Sequence, residues 1–459
     1  MKAKLPLFLS TALFSMAAIS GCSFGKNSEK EGNEVITIAI VSDQSESNTM
    51  TTFINGYKKL PGNENKKFKV VKMTNYGDYI FNSFLYDELA DIVQVFDSTS
   101  EYYANADLDG AGTSLLQPLS SYMKRDGVKE EDFYESIIEM TKCKTGSNDV
   151  YWVPRDYNKV VCGYNKRMFD LAGVSYPTDD WTWSEFYSIC QQLKANEAAI
   201  KNYSGSATFY PVDMNLDFQA VYYPVLKSFG GELIDKQTRT CFGNTEEAVN
   251  IAKSAWGMLL DMAGSDVKLA NPPGGAQIPF TNKQAAMMFM VRPNLPTYVR
   301  GVGEDVIDFV SLPTLEGIPS NSKSYIGMGC SGYGMTTACP DSKKEAVWDF
   351  LKYIVSVDGQ NAFSAAGSGI PCLKALAESP NAIFKQYLVK EGYSPNHDAF
   401  IAHPERDLPA NYLKNFEVDK QLTIDKYVKD RTLGQFYKTT NRDKYFADFK
   451  TNMEKIWNK

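Results

Sequence analysis

Apolar positions follow two alternating rhythms near the start of the folded part of the chain. Val35–Val41 is a β-branched run of the kind found in a strand buried on both faces. It gives way to polar Ser42, Asp43, Gln44 and Ser45. Residues 68–72 and 91–96 are two further runs of strand length. Between them, 78–90 carries Ile80, Phe81, Phe84, Leu85 and Leu89 at helical spacing. Strands alternating with helices predict parallel pairing through right-handed crossovers, and so an α/β opening. Ligands of such sheets sit beyond the carboxyl ends of the strands. Asp43, Gln44, Asp97 and Ser98 are thereby expected at the mouth of this region's site. Farther on, 246–262, 342–356 and 443–457 each predict a helix with one apolar stripe, marked by Trp256, Phe350 and Phe449 respectively. Helical spacing makes these stripes core faces rather than binding faces.

The first apolar run has a different character. Lys2 and Lys4 precede apolar residues 5–19, and Ser20, Gly21 and Cys22 follow. A basic start, an apolar run and small residues form a secretory signal. Its ending resembles the bacterial lipobox, whose Cys is diacylated and becomes the mature N-terminus. The run is shorter than the ~20 apolar residues that a membrane span needs, and Pro6 interrupts it. Residues 1–21 are therefore expected to be a signal peptide, and Cys22 the lipidation site. Polar, aperiodic 22–34 is expected to be a flexible tether. Such a chain is anchored to the extracellular face of the cell membrane without spanning it.

A chain of 459 residues with 43% apolar and 22% charged residues is ordinary for a globular protein of two or three domains. A net charge of −7 gives no basic footprint for nucleic acid. Beyond Cys22, Cys143, Cys162, Cys190, Cys241, Cys330, Cys339 and Cys372 are scattered at long spacings. They read as buried free thiols, with one disulfide, for instance Cys330–Cys339, left open.

The densest motifs are Trp152-Val153-Pro154, Tyr164-Asn165-Lys166, Ala172-Gly173, Pro177 and Thr182-Trp183-Ser184-Glu185-Phe186. Thr182 and Glu185 make a capping box that opens a helix. Together these motifs resemble the family 1 extracellular solute-binding proteins, the sugar-binding lipoproteins of ABC importers. The resemblance continues through Asp91-Ile92-Val93, Leu116-Gln117-Pro118-Leu119, Phe229-Gly230-Gly231, residues 280–287 and 309–313, Val357-Asp358-Gly359-Gln360 and Gly369-Ile370-Pro371. In 280–287, Lys283-Gln284 replaces the family's Gly-Lys, ahead of a helix that the resemblance implies at Ala285-Ala286-Met287.

That resemblance implies an α/β, two-lobed periplasmic-binding-protein-like fold, each lobe a mixed, mostly parallel sheet flanked by helices. Three interlobe crossings are expected near 155–159, 326–329 and 367–370, at glycine-rich or loop-like hinges. The N-terminal lobe would comprise 35–156 and 329–368, and the C-terminal lobe 158–327 and 370–459. The implied function is capture of a mono- or oligosaccharide by a monomer that delivers it to permease subunits, without chemistry or cofactor.

A sugar offers an apolar ring face to aromatic side chains and a rim of hydroxyls to carboxylates, amides and Arg. Candidate ligand contacts at strand ends and hinges are Asp43, Gln44, Tyr76, Asp97, Trp152, Arg155, Asp156, Tyr157, Asp213, Met290, Arg292, Ser331 and Tyr333. The resemblance implies contacts at Arg155-Asp156 and at Met290 to Arg292 in particular. One alternative is a lipid-anchored glycoside hydrolase, which needs two carboxylates about 5–9 Å apart across a cleft; no motif pairs them. Another keeps the fold but takes a polyamine, metal or phosphonate. No metal site is expected. Residues 105–110 resemble the start of a calcium loop, but Leu116 stands where the bidentate Glu belongs. His397 and His403 lack helical-face spacing and read as surface-loop residues.

Overall fold

The computed structural model describes residues 35–105, 107, 114–264, 266–273, 278–304, 306–413, 424, 426–428 and 441–457. The signal segment, Cys22, the tether and most of 105–110 lie outside the described residues.

The chain opens with β1 (Val35–Val41), β2 (Lys67–Met73) and β3 (Ile92–Phe96), separated by the helices Gln44–Tyr57 and Tyr76–Leu85. β4 (Val153–Pro154), β5 (Asn158–Lys159), β6 (Val161–Asn165) and β7 (Tyr210–Asp213) follow, then a hairpin of β8 (Ile234–Asp235) and β9 (Thr240–Cys241). β10 (Ala285–Met290), β11 (Ile307–Ser311), β12 (Ile326–Gly329), β13 (Ser331–Met335) and β14 (Asp407–Pro409) complete the strands among the described residues. A five-stranded sheet has the order β2-β1-β3-β13-β4, and a four-stranded sheet the order β11-β6-β10-β7. β1 pairs parallel with β2 and β3, as the opening pattern predicts. β13 runs antiparallel to β3 and β4. In the four-stranded sheet only β10 with β7 is parallel, so both sheets are mixed and the expected parallel majority is absent. The reason is connectivity: β6 leaves the hinge outward, and its neighbours β10 and β11 both return toward it.

Each sheet organises a core. Ile38, Ile40, Val93 and Val95 pack with Met50, Phe53, Trp348 and Leu351. Cys162, Phe186, Leu226, Trp256 and Phe449 pack in the other. Helices Glu246–Asp261, Asp341–Ile354 and Arg442–Trp457 turn their expected stripes inward. Thr182 and Glu185 form the capping box at the start of Trp183–Ala195. All seven described cysteines are buried and unpaired. One expectation fails outright. Ala285-Ala286-Met287 is not helical but opens β10, six consecutive buried residues paired on both sides by β6 and β7. A strand covered on both faces has no alternation, so periodicity alone does not separate it from a buried helix.

A third sheet, β14-β12-β5, joins the other two. In the chain β5 lies between β4 and β6, and β12 between β11 and β13, so the segments expected as the first two crossings pair with each other as strands rather than forming loops. Gly327 lets a helix pack closely on β12. A Cβ there would lie 1.8 Å from the carbonyl oxygen of Ala220, on the helix Gln219–Ser228. Gly327→Ala is expected to cost about 1–3 kcal/mol through forced backbone displacement, read as a lowered urea midpoint.

Candidate functional site

Strand directions bring two sets of strand ends to the joining sheet. β4 runs toward β5, so its carboxyl end marks the hinge edge of the five-stranded sheet. Its antiparallel neighbour β13 begins at that edge, and β3, β1 and β2 end there. In the four-stranded sheet β6 begins at the hinge edge, while β10, β11 and β7 end there. The chain just beyond these ends comprises 42–44, 74–76, 97–98, 155 and 331 on one side. On the other it comprises 213–215, 291–292 and 312–313.

Four of the expected residues come together on the first side. The Arg155 guanidinium pairs with Glu46, donates to Asp156 Oδ2 at 2.9 Å and to Ser331 Oγ at 2.6 Å, and lies over the Phe363 ring. Asp156 Oδ1 accepts the Ser331 backbone N–H at 2.9 Å, and the Tyr333 hydroxyl donates to Glu46. Burial opposes the charge on Arg155, but Glu46 and Asp156 outweigh it and hold its pKa well above the usual value. Burial, reinforced by Glu46, pushes the Tyr333 phenol far up and keeps it a neutral donor. Glu46 escapes the strand-end reading. Its signal is its place in the first turn of Gln44–Tyr57, where its N–H is capped by Asp43 Oδ1 at 3.0 Å.

A second cluster centres on Asp407 of β14. Its carboxylate accepts from Tyr157 OH at 2.5 Å and Ser136 Oγ at 3.1 Å, and pairs with Lys159 Nζ at 2.5 Å. Lys159 and Asp407 side chains are 0% and 1% exposed. Burial lowers the Lys159 pKa and raises that of Asp407, each partly restored by the other.

The remaining expected residues are dispersed. Asp43 is a helix N-cap, and exposed Gln44 donates to Asn48. Asp97 begins the helix Asp97–Asn105; its carbonyl accepts from the Asn411 side chain, and its Oδ2 faces Gly329 of β12. Tyr76 is buried, its hydroxyl 2.9 and 3.1 Å from the carbonyls of Gln94 and Ala39. Trp152 and Met290 lie in the core. Arg292 is wholly buried, donating to the carbonyls of Gly367 and Phe384 and to His397 Nδ1. It is a strut between loops rather than a group facing the hinge edge. His397, expected on the surface, is 3% exposed, because Arg292 and the rings of Phe309 and Phe384 enclose it. Asp213 ends β7 and is 3% exposed; its Oδ1 accepts the Asn215 N–H at 3.1 Å. No group of His, Cys, Asp and Glu fit to hold a metal ion occurs among the described residues. Nor is any described helix long and apolar enough to cross a membrane.

Two sheets joined through paired crossover strands, with strand ends of both meeting at the join, define a two-lobed binding protein of the periplasmic type. The profile of the bacterial extracellular solute-binding proteins matches residues 88–361, more than half of the chain, and the protein belongs to that family. No curated protein sequence matches it. Among solved structures it is similar to an ABC substrate-binding protein from Listeria monocytogenes in complex with cycloalternan. That pair has a TM-score of 0.69 and 17% identity over 92% of this chain and 99% of the other. Maltose-bound MalE3 of T. maritima gives 0.66 and 16% over 92% and 99%. UgpB from Mycobacterium tuberculosis with glycerophosphocholine gives 0.70 and 16% over 93% and 99%. At these identities the likeness speaks for the fold.

Proposed function

We propose that this protein is the carbohydrate receptor of an ABC importer, tethered through diacylated Cys22 to the extracellular face of the membrane. Its lobes, 35–156 with 329–368 and 158–327 with 370–459, close as a monomer on a mono- or oligosaccharide and present it to the permease subunits. The observation that carries the reading is the meeting of strand ends rich in hydroxyl, amide and carboxylate groups at a three-stranded join. Asp43, Gln44, Asn75, Ser98, Asp213 and Asn215 supply that chemistry, which suits the rim of a sugar. Cycloalternan and maltose in two of the similar structures support the same class of cargo. Glycerophosphocholine in UgpB favours a second reading, a non-sugar solute on the same fold.

The solute shifts an open–closed equilibrium by preferring the closed form, and no bond is made or broken. A sugar held at 100 times its dissociation constant is expected to add about 2.7 kcal/mol, seen as a raised thermal midpoint, and to be recovered unaltered. A shift from polyamines or peptides with none from sugars overturns the cargo. Sugar returned hydrolysed overturns the receptor.

A further inference from the structure

Building on the proposed lipid anchor, we infer that one end of the five-stranded sheet, where the tether joins the fold, rests on anionic phospholipid headgroups of the membrane. Residues 47–77 hold six lysines and one acid, Glu64, in a chain whose net charge is −7. Five of those lysines gather at one place. Lys67 opens β2 and pairs in register with Val35, the first residue of β1, and Lys69 pairs with Thr37. Lys66 precedes the strand, and Lys58 and Lys59 follow the helix Gln44–Tyr57, which returns to this end. The Lys58 ammonium lies 5.9 Å from the centroid of the Phe68 ring, so the helix end sits against the start of β2. Lys59, Lys67 and Lys69 are exposed, and Lys58 and Lys66 are partly so.

Local causes cover part of this cluster. Lysines on an outermost strand guard its open edge against a foreign strand, and β2 is outermost in its sheet. That role accounts for Lys67 and Lys69, but not for the three lysines that lie off the strand. Cations just past a helix C-terminus complement its dipole, which accounts for Lys58 and Lys59 but not for Lys66. What unites all five is Val35. Only 22–34 separates it from Cys22, a stretch that spans at most about 45 Å when fully extended. The lysine-bearing end is therefore held within reach of the bilayer that anchors the chain. Each basic residue near an anionic membrane surface adds attraction that decays within a Debye length, about 8 Å at physiological salt. A weak patch suffices there, because the tether keeps it at high effective concentration.

β1 runs seven residues from Val35 to the hinge edge, about 23 Å at the rise of a strand. With the Val35 end on the headgroups, the strand ends that meet solute are lifted to the outer side, open to arriving sugar. The chain as a whole is acidic and is repelled by the same surface, which favours contact through this end over others.

The test uses the chain from Cys22 onward, made without acylation, with the Cys22 thiol coupled to a maleimide lipid; the seven other cysteines are buried. The coupled protein is placed on vesicles of phosphatidylcholine alone, or of phosphatidylcholine and phosphatidylglycerol in equal parts, and lysine acetylation is followed by mass spectrometry. Lys58, Lys59, Lys66, Lys67 and Lys69 are expected to react at least about threefold more slowly on the anionic vesicles, with exposed Lys268 unchanged. The protection is expected to vanish at about 1 M salt, where the Debye length falls to about 3 Å. Equal rates on both vesicles overturn the inference, as does equal slowing of Lys268, which means adsorption without a preferred face. Lys59→Glu, Lys66→Glu and Lys67→Glu together are expected to abolish the protection of Lys58 and Lys69; protection that survives them overturns the electrostatic contact. Chemical coupling makes this result independent of acylation in the cell. The anchor has its own measurement: Cys22→Ala is expected to be released from the cell surface, and its retention removes the anchor while the vesicle result stands.

Discussion

Lys159→Met is expected to destabilise the protein by about 3–5 kcal/mol, because it strands the Asp407 carboxylate inside the joining sheet. The two side chains meet at 2.5 Å and are essentially inaccessible. Lys159 reaches Asp407 across the middle strand, since β5 and β14 both flank β12 at Met328. Tyr157 and Ser136 still donate to the carboxylate in the variant, but hydroxyls do not replace the lost cation. Replacing both partners, as Lys159→Met with Asp407→Leu, removes the stranded charge and is expected to recover most of the loss. Urea unfolding of the two single variants and the double variant closes the cycle. A cost below about 1 kcal/mol for Lys159→Met would show that water reaches the pair and that the join is looser than its burial indicates.

This pair also marks where sequence reasoning stopped. Lys159 and Asp407 stand 248 positions apart, and no local pattern announces that a three-residue strand late in the chain closes the joining sheet. What was legible was local: β1 from its β-branched run, Trp183–Ala195 from its capping box, and three late helices from their stripes. The segments 158–159 and 326–329, expected as loop-like crossings, are instead the paired strands β5 and β12, and no local pattern shows which distant strand a short strand will pair with.

Among the candidate ligand contacts, the fold brings Arg155, Asp156 and Ser331 together, and nothing in the sequence hinted at Glu46, which completes their charge balance. Arg292 shows the opposite limit. A polar residue just past a strand end was expected to face solute, but three surrounding aromatic rings and two backbone carbonyls draw its guanidinium inward. Sequence states that an Arg is present, and only the packing decides which acceptors it reaches.

The same inward turn makes His397 a buried acid sensor of stability. Arg292 can only donate, so Nδ1 of His397 accepts at 2.9 Å; the Tyr387 carbonyl can only accept, so Nε2 carries the proton. The ring is thereby held neutral. Burial first, and the Arg292 charge second, push its pKa from 6.5 down to about 3. Between those values the unfolded chain binds a proton that the folded protein refuses, so stability is lost as pH falls through that window. Two pH units below the unfolded value, the loss from this group is about 2.7 kcal/mol. His397→Gln offers an acceptor and a donor without titrating. Its own cost at neutral pH should therefore shrink by about that amount at pH 4.5, when unfolding free energies of wild type and variant are compared at both pH values. Carboxylates elsewhere titrate in both proteins and cancel in the difference. A difference that stays flat from pH 7.5 to 4.5 would mean that His397 protonates in place, with Arg292 swinging away from it, and that the strut between Gly367 and Phe384 yields before the fold does.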